Sequence, residues 1–549
     1  MTTLDPAVRD AAYRWIGDDV STDAKAELHA VLGEAQAGST DAIADLTDRM
    51  AGPLAFGTAG LRGPVRAGPN GMNRAVVVRT TAGLASWLQA QGRGGGVVVV
   101  GRDARHGSAD FAEDTAGVLA AAGFDVRMLP EPLPTPVLAF AVRALDAVAG
   151  VQVTASHNPP QDNGYKVYLD AGAQLVSPAD REIEAAIEAV GAANTVPSSA
   201  SWTVHHAAVT DYLDRIEQLP HGSARELRVA ATALHGVGAE TLVAALKRAG
   251  FHDVHLVASQ ADPDPDFPTV GFPNPEEPGA TDELLALASE VGADLAVALD
   301  PDADRCALGI PGHDRRWRML RGDETGVLLG DHVLSGVDRS MHPDPLVATT
   351  LVSSTMLGSV AAAYDVRYAE TLTGFKWLMR AGDGAGTGLV YAYEEALGHC
   401  VDPDHVRDKD GISAAVLACD LAASSGRTLA GLLDALAVEH GVHLTDQVSL
   451  RVTDLDVIDR TTGKLRADPP TRLAGTPVTT RDLLPANDIL VYEGEGLRVV
   501  VRPSGTEPKL KCYLEVRADV DEYGLDSATR TATDRLTTLR QELATLLAP

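Results

Sequence analysis

Several segments of the chain repeat one theme: a run of apolar, mostly β-branched residues, a polar or glycine-containing turn, then an Ala/Leu-rich helical pattern. GVVVVGRD (96–103) is followed by the helix-like ADFAEDTAGVLAAAG, and AVAGVQVTASHN (147–158), ELRVAATALHGVG (226–238) and ADLAVALDPDADR (293–305) repeat the strand-and-turn opening. Strands alternating with helices predict parallel α/β sheets, whose functional loops sit at the C-terminal ends of the strands. A chain of 549 residues is too long for one hydrophobic core, so roughly three to five domains are expected. At least three of them are α/β blocks of this kind.

Two stretches read as joints. GAANTVPSSASW (191–202) is small, polar and proline-containing, and ends a first domain near residue 200. After GVHLTDQVSL (441–450) the Ala-rich helices give way to short strands, and the tail from ILVYEGEG onwards reads as a smaller α+β domain closed by a Leu/Thr/Arg helix. With a further boundary between 312 and 325, the predicted domains are 1–200, 201–315, 316–442 and 443–549.

Composition excludes several classes of function. Asp and Glu number 76 against 46 Lys and Arg, a formal charge of −30. That argues against nucleic-acid or anionic-membrane binding, which needs a basic face. Any anion site must therefore be local, built from clustered Arg, Lys and backbone N–H groups. Four scattered cysteines with no C-x-x-C pair make neither a disulfide framework nor a zinc site. The first residues lack the basic and apolar regions of a secretory signal, and no apolar run approaches the roughly 20 residues that span a bilayer. The compartment these features predict is the cytosol.

Three constellations carry the chemistry. Asp300, Asp302 and Asp304 alternate in DPDADR directly after the buried-strand pattern DLAVAL. Three carboxylates in such a turn can converge on one hard cation, and oxygen ligands suit Mg²⁺. An EF-hand is excluded, because Arg305 and Pro311 stand where that loop needs Gly and Glu. A second triad, Asp262, Asp264 and Asp266, lies in the proline-interrupted ADPDPDFPTVGFPNPEEP, where extended backbone splays side chains apart, and reads as a solvated loop. Ser156 in TASHNPP falls where the strand GVQVTA ends. A nucleophile elbow needs G-x-S-x-G, and Thr154 and Asn158 occupy its glycine positions. A serine that carries phosphate, with oxygens available to the same cation, is the alternative. Lys166, ten residues on, is within reach of such a site. Finally, Arg502, Ser504, Gly505 and Thr506 in RPSGTEPK combine a guanidinium fork, hydroxyls and a glycine turn, the makings of an anion nest. No Walker-type G-x-x-x-x-G-K-[ST] occurs.

TASHNPP, DPDADR, EEALG (394–398) and RPSGTEPK occur in this order, with FGTAGLRG (56–63) and TLTGFKW (371–377) alongside. Together they resemble the α-D-phosphohexomutase superfamily, which includes phosphoglucomutases and phosphomannomutases, over residues 50 to 549. The resemblance implies three related α/β domains plus a smaller α+β C-terminal domain around a central cleft. It implies Ser156 as the phosphorylated nucleophile, with Asp300, Asp302, Asp304 and Ser156 around one Mg²⁺ and Arg305 near the phosphoryl group. Thr373 and Gly374 would face the sugar, Glu394 would bind its hydroxyls, and Arg502, Ser504, Gly505 and Thr506 would hold a phosphate. Arg62, Lys166, His399 and Lys409 would be cleft residues, with Lys166 or His399 the proton carrier.

The implied activity interconverts hexose 1-phosphate and hexose 6-phosphate, glucose first, with glucose 1,6-bisphosphate as activator and intermediate. Small-molecule sugar phosphates are then the partners, with neither nucleic acid nor membrane. Ala396 stands where many glucose and mannose mutases have the serine of E-x-S. The run EEALGHCVDPDHVRDKDGISAA resembles a branch with phosphoglucomutase and phosphopentomutase activities, so mannose or pentose specificity is the alternative. A metal-dependent phosphatase or bisphosphate synthase using the same residues is another, and a non-catalytic sugar-phosphate binder a third.

Overall fold

A computed structural model of the chain describes residues 3–55, 60–169, 172–452, 456–503 and 509–547. The chain divides into two compact units, residues 1–309 with 398–424, and 310–397 with 425–549.

The first unit opens with three helices, Pro6–Asp18, Thr22–Gln36 and Thr40–Arg49. Each starts at a side-chain cap: Asp5, Ser21 and Ser39 accept from the backbone N–H of Ala7, Ala24 and Ala42, which satisfies donors the helix itself cannot. Their apolar faces meet over Ile16, Leu28, Leu32 and Leu46.

Seven strands follow in one sheet: β1 (Leu61–Pro64), β2 (Val97–Arg102), β3 (Asp125–Met128), β4 (Ala149–Val153), β5 (Asp162–Leu169), β6 (Ala173–Gln174) and β7 (Thr203–Val204). Their order is β1-β5-β4-β2-β3-β7, with β6 beside β5. β4, β2, β3 and β7 are parallel, and β5 and β1 close the sheet antiparallel. The VVVV run of β2 and all five residues of β4 are buried, or nearly so, the composition of strands covered on both faces. Four strands of a second, five-stranded sheet run in the order β11 (Cys306–Pro311), β10 (Leu295–Leu299), β8 (Arg228–Thr232), β9 (Asp253–Leu256). Here β10, β8 and β9 are parallel and β11 is antiparallel to β10. Thus β4 and β10, each internal to its sheet, end at the Ser156 loop and the Asp300 loop. Helix Gly411–Ser424, almost wholly buried, also packs in this unit.

The second unit holds three parallel strands, Arg367–Thr371, Leu346–Thr350 and Leu389–Glu394, packed by helices Gly322–Ser335 and Met356–Ala363. Its C-terminal part is an antiparallel sheet of six strands under the 22-residue helix Leu525–Leu546. This is the α+β tail read from the sequence, and the chain as a whole comprises three α/β domains and one α+β domain. Among the described residues no single helix is long and apolar enough to cross a membrane.

Candidate active site

β4 ends at Val153, and the chain turns sharply. The hydroxyl of Thr154 accepts from the N–H of Ser156 at 2.9 Å, and Ser156 itself takes φ +53°. That left-handed conformation costs an L-residue roughly 1–2 kcal/mol, so the surrounding contacts must enforce it. Its result is a buried Oγ that donates to Asp300 Oδ2 at 2.9 Å and lies 3.2 Å from His157 Nδ1.

β10 delivers the facing loop. Ala303 N–H donates to the Asp300 carbonyl at 2.9 Å, with Ala303 at φ +56°. This turn brings carboxylate oxygens of Asp300, Asp302 and Asp304 within 4.8 Å of one another, all with no exposed surface. Such a cluster is sustainable only with compensating donors. Lys166 Nζ donates to Asp302 Oδ2 at 2.7 Å and Asp304 Oδ2 at 2.8 Å, Thr135 Oγ1 to Asp302 Oδ2 at 2.7 Å, and Lys409 Nζ stands 3.3 Å from Asp304 Oδ2. Asp300 Oδ1 accepts the N–H of Arg305 at 3.0 Å. The second oxygens of Asp302 and Asp304 are buried and accept no hydrogen bond from the described residues. Two bare carboxylate oxygens beside Asp300 and a serine oxygen fit a hard divalent cation.

The electrostatics divide the triad. Burial, and then the charges of its two neighbours, push the Asp300 carboxyl well up. Burial also acts to raise Asp302 and Asp304, but the ammonium of Lys166, joined at Asp304 by Lys409 and Arg305, leaves both below the usual carboxylate range. Lys166 responds in kind: burial lowers it, Asp302 and Asp304 raise it further, and it remains an ammonium.

The DKDG turn locks onto this loop. A Cβ at Gly411 would stand 2.3 Å from the Arg305 carbonyl oxygen and 2.8 Å from that of Ala303, so only glycine permits the approach. Asp410 Oδ1 accepts from the N–H groups of Ile412 and Ser413 at the start of the helix, and Lys409 is placed on Asp304.

Four domains of one family match the chain in order. These are phosphoglucomutase/phosphomannomutase alpha/beta/alpha domain I over residues 53–194, domain II over 210–311, domain III over 321–439 and the C-terminal domain over 451–524. The chain belongs to the phosphoglucomutase/phosphomannomutase family. It is 43% identical over 465 residues to the probable phosphomannomutase of Haemophilus influenzae, covering 81% of this chain and 93% of that protein. It is 34% identical to the phosphopentomutase of Mus musculus, over 85% of this chain and 84% of the relative. It is 33% identical to the phosphoglucomutase of Staphylococcus aureus strain MRSA252, over 85% and 91%. In fold it is similar to a phosphoglucomutase/phosphomannomutase family protein from Burkholderia thailandensis, with TM-score 0.69 and 22% identity over 89% of this chain and 97% of that one. The protein is accordingly an isomerase of the phosphomutase type, an intramolecular phosphotransferase.

Within this phosphomutase, Ser156, Lys166, Asp300, Asp302, Asp304, Arg305 and Lys409 come together in the first unit. Arg62, on β1, joins its edge, 3.5 Å from Asn158 Oδ1. His399 is also in this unit but fully buried, hydrogen-bonded to the Cys306 backbone, and burial holds its pKa down to about 3. The second unit carries Glu394, buried at the end of its strand, with Thr373 and Gly374 (φ +111°) after strand Arg367–Thr371. Its neighbour Glu395 is fixed by the hydroxyls of Thr350 and Ser353, both at 3.2 Å. Arg502 lies on strand Leu497–Pro503, in register with Lys511. Ser504, Gly505 and Thr506 lie outside the described residues.

Two contributors escaped the sequence reading. Thr135, the first residue of helix Thr135–Ala144, donates to Asp302, and Arg105 grips the loop that carries Ser156. The only local signal for Arg105 was its place just past the end of the strand in VVVVGRDAR.

Proposed function

We propose that this phosphomutase interconverts hexose 1-phosphate and hexose 6-phosphate, with glucose the leading sugar, through phospho-Ser156 and a sugar bisphosphate such as glucose 1,6-bisphosphate. The observation that carries the proposal is a buried Ser156 Oγ 2.9 Å from Asp300, inside a carboxylate triad with bare oxygens. Asp300, Asp302 and Asp304, with the oxygens on Ser156, would hold one Mg²⁺, whose chemistry there would be to neutralise charge on the phosphoryl oxygens.

The protein's own groups do the remaining work. A sugar hydroxyl attacks phosphorus and the P–Oγ bond breaks; the Lys166 ammonium protonates the departing Ser156 Oγ, and the resulting amine takes the hydroxyl proton. In the second transfer Ser156 Oγ attacks the other phosphate of the bisphosphate, which leaves the isomerised monophosphate and restores the phosphoserine. Arg305 and Arg62 balance phosphoryl charge. Lys166 holds the proton that each transfer moves; a buried neutral imidazole such as His399, sealed against Cys306, is less suited to that traffic. Thr373, Gly374 and Glu394 contact the sugar, and Arg502, Ser504, Gly505 and Thr506 take the phosphate that is not reacting. By domain, 1–200 supplies the phosphoserine loop, 201–315 the metal loop, 316–442 the sugar loops and 443–549 the phosphate loop. Four free, buried cysteines suit a reducing compartment such as the cytosol.

The relatives' names span mannose, pentose and glucose phosphates, which supports a pocket tolerant of more than one sugar. The test is phosphate mapping combined with turnover. Wild type incubated with glucose 1,6-bisphosphate gains one phosphate, mapped to Ser156, and converts glucose 1-phosphate to the 6-phosphate. Ser156→Ala gains none and loses turnover with an unchanged melting temperature. Release of free phosphate in place of the isomer, or turnover retained by the alanine variant, overturns the reading.

A further inference from the structure

The proline-rich segment that holds the second aspartate triad packs where that triad alone gives no reason to expect it. Asp262 and Asp266 are exposed, and the three carboxylates do not form a converging group. The segment is nevertheless pinned. Asp264 N–H donates to the His235 carbonyl at 2.9 Å, and Asp264 Oδ1 accepts from Asp266 N–H at 2.9 Å. Thr269 Oγ1 lies 2.8 Å from His235 Nε2 and receives Gln260 Nε2 at 2.9 Å. These ties present two aromatic rings. Phe267, 2% exposed, lies under the Arg105 guanidinium at 4.9 Å, and Phe272 stands 6.4 Å from the ring of His157, the neighbour of Ser156.

Arg105 is the piece between this segment and the serine. Its Nη2 donates to the carbonyls of Ser156 and Asn158, both at 2.6 Å, and its Nη1 to those of Pro159 at 2.8 Å and Asp162 at 3.1 Å. All four terminal N–H bonds of the guanidinium are therefore spent on one loop. Its Nε lies 3.3 Å from Asp103 Oδ2, with both side chains almost wholly buried. Asp103 Oδ1 in turn accepts from Arg105 N–H at 2.9 Å and Ser108 Oγ at 2.6 Å. A planar fork is the one side chain that can bind four carbonyls in this way.

We propose that Arg105 is a positioning residue for Ser156, and that segment 262–275, through Phe267 and Phe272, is the strap that fixes it. The proposal rests on Ser156 being the phosphate carrier. The left-handed backbone at Ser156 persists only if its surroundings over-determine it, and four carbonyl bonds to one buried cation do that. The strap belongs to the domain that also carries Asp300. It therefore ties the serine loop to the metal loop, and sets the spacing between Ser156 Oγ and the carboxylates on which transfer depends. Arg105 touches no reacting atom.

Loss of alignment slows transfer without weakening substrate capture, and displacement by about 1 Å can cost about 100-fold. The experiment measures kcat and KM for Arg105→Lys, Phe267→Leu, Phe267→Tyr and the control Asp262→Asn, with Ser156 phosphorylation by glucose 1,6-bisphosphate followed by intact mass. Arg105→Lys is expected to lower kcat by about 30- to 100-fold, with KM within about threefold. Phe267→Leu, which keeps the apolar volume but removes the ring face, lowers kcat by about three- to tenfold, whereas the ring-retaining Phe267→Tyr does not. In the double variant the two losses do not multiply, because both act through one guanidinium. Asp262→Asn matches wild type. Wild-type kcat in Arg105→Lys, or a raised KM with kcat intact, overturns the proposal. Should Arg105→Lys fail to fold, the Phe267 pair decides it, equal kcat for Leu and Tyr being the overturning result. If wild type takes no phosphate at Ser156, the functional reading itself has failed. If it does while Arg105→Lys behaves as wild type, the strap alone has failed.

Discussion

Ser156 and Asp300 show how little separates a polar turn from a reactive one. Asp300 directly follows a buried strand that ends at Leu299, Ser156 lies in the turn after one that ends at Val153, and each loop has one non-glycine residue in left-handed backbone, Ser156 and Ala303. The two D-x-D-x-D runs differ in the same respect. Only 300–304 follows a buried strand, and only there do the carboxylates converge. Asp302→Asn is therefore expected to raise the Mg²⁺ concentration for half-maximal activity by at least tenfold, and Asp264→Asn to leave it unchanged. Metal titrations of the two variants side by side check this. A second residue-scale expectation concerns acid stability. His399 is fully buried with its pKa pushed down to about 3 by burial, against about 6.5 in an unfolded chain. Between those values the unfolded state binds more protons, so the contribution is complete above about pH 6.5 and is lost as pH falls toward 3. The slope is on the order of 1 kcal/mol per pH unit. His399→Gln flattens the dependence of the urea midpoint on pH between 4 and 6.5, relative to wild type.

At the scale of elements, strand Lys509–Ala518 teaches the most. Its alternation puts Leu510, Cys512, Leu514 and Val516 on the face under the C-terminal helix, and by pattern Lys509, Lys511, Tyr513, Glu515 and Arg517 on a solvent face. Part of that second face is covered instead: Tyr513 packs with Leu351 and Val352 of the loop after strand Leu346–Thr350. Glu515, beside it, is 4% exposed. Its Oε1 accepts from Ser354 Oγ and Thr355 N–H at 2.8 Å, and His443 Nδ1 lies at 3.0 Å. Arg498 Nε stands 3.7 Å from Oε2 and its Nη1 bonds Glu370. Burial raises the Glu515 carboxyl, but His443 and Arg498 hold it down to about 2. Removing one partner of such a buried pair strands the others, so Glu515→Ala should cost about 3–5 kcal/mol, read as a shift in denaturant midpoint. A single sequence cannot announce this network, because His443 lies 72 residues from Glu515 and Ser354 lies 161 residues from it. TASHNPP and DPDADR were legible for the opposite reason. A short polar loop at the end of a buried strand is a local signal, and Lys166 lies one hairpin away from Ser156. Thr135 and Arg105 reach the same site only through tertiary contacts that no spacing records.

For the molecule as a whole, the remaining determinant is which sugars it isomerises. The family assignment spans the chain from residue 53 to 524, and in the proposed function sugar choice falls to the side chains around Glu394. Glu394 is buried at a strand end, and Glu395 behind it is locked by Thr350 and Ser353. The turn that follows packs tightly on Gly322, where a Cβ would lie 1.9 Å from the Glu395 carbonyl oxygen. Ala396 sits half-buried in that turn with no hydroxyl to offer. Rejection of a near-analogue comes largely from buried polar groups left unpaired, and one methylene or hydroxyl in a permissive pocket changes kcat/KM by only about 10- to 200-fold. With Glu394 as the sugar-binding carboxylate of the proposed site and no hydroxyl at Ala396, strong dependence on Glu394 and loose discrimination among sugars are expected. Glucose 1-phosphate is expected to be the best substrate, with mannose 1-phosphate and ribose 1-phosphate turned over at measurable rates. Ala396→Ser should widen the gap between glucose and mannose by about tenfold, the worth of one added hydrogen bond. Glu394→Ala should depress all three sugars, by about 10- to 100-fold for a lost charged acceptor. The check is kcat/KM for the three sugar phosphates with wild type and both variants. A wild type confined to one sugar would show that the turn at Ala396 does not set selectivity. Equal losses across the sugars in Ala396→Ser would show that the added hydroxyl reaches none of the positions at which they differ.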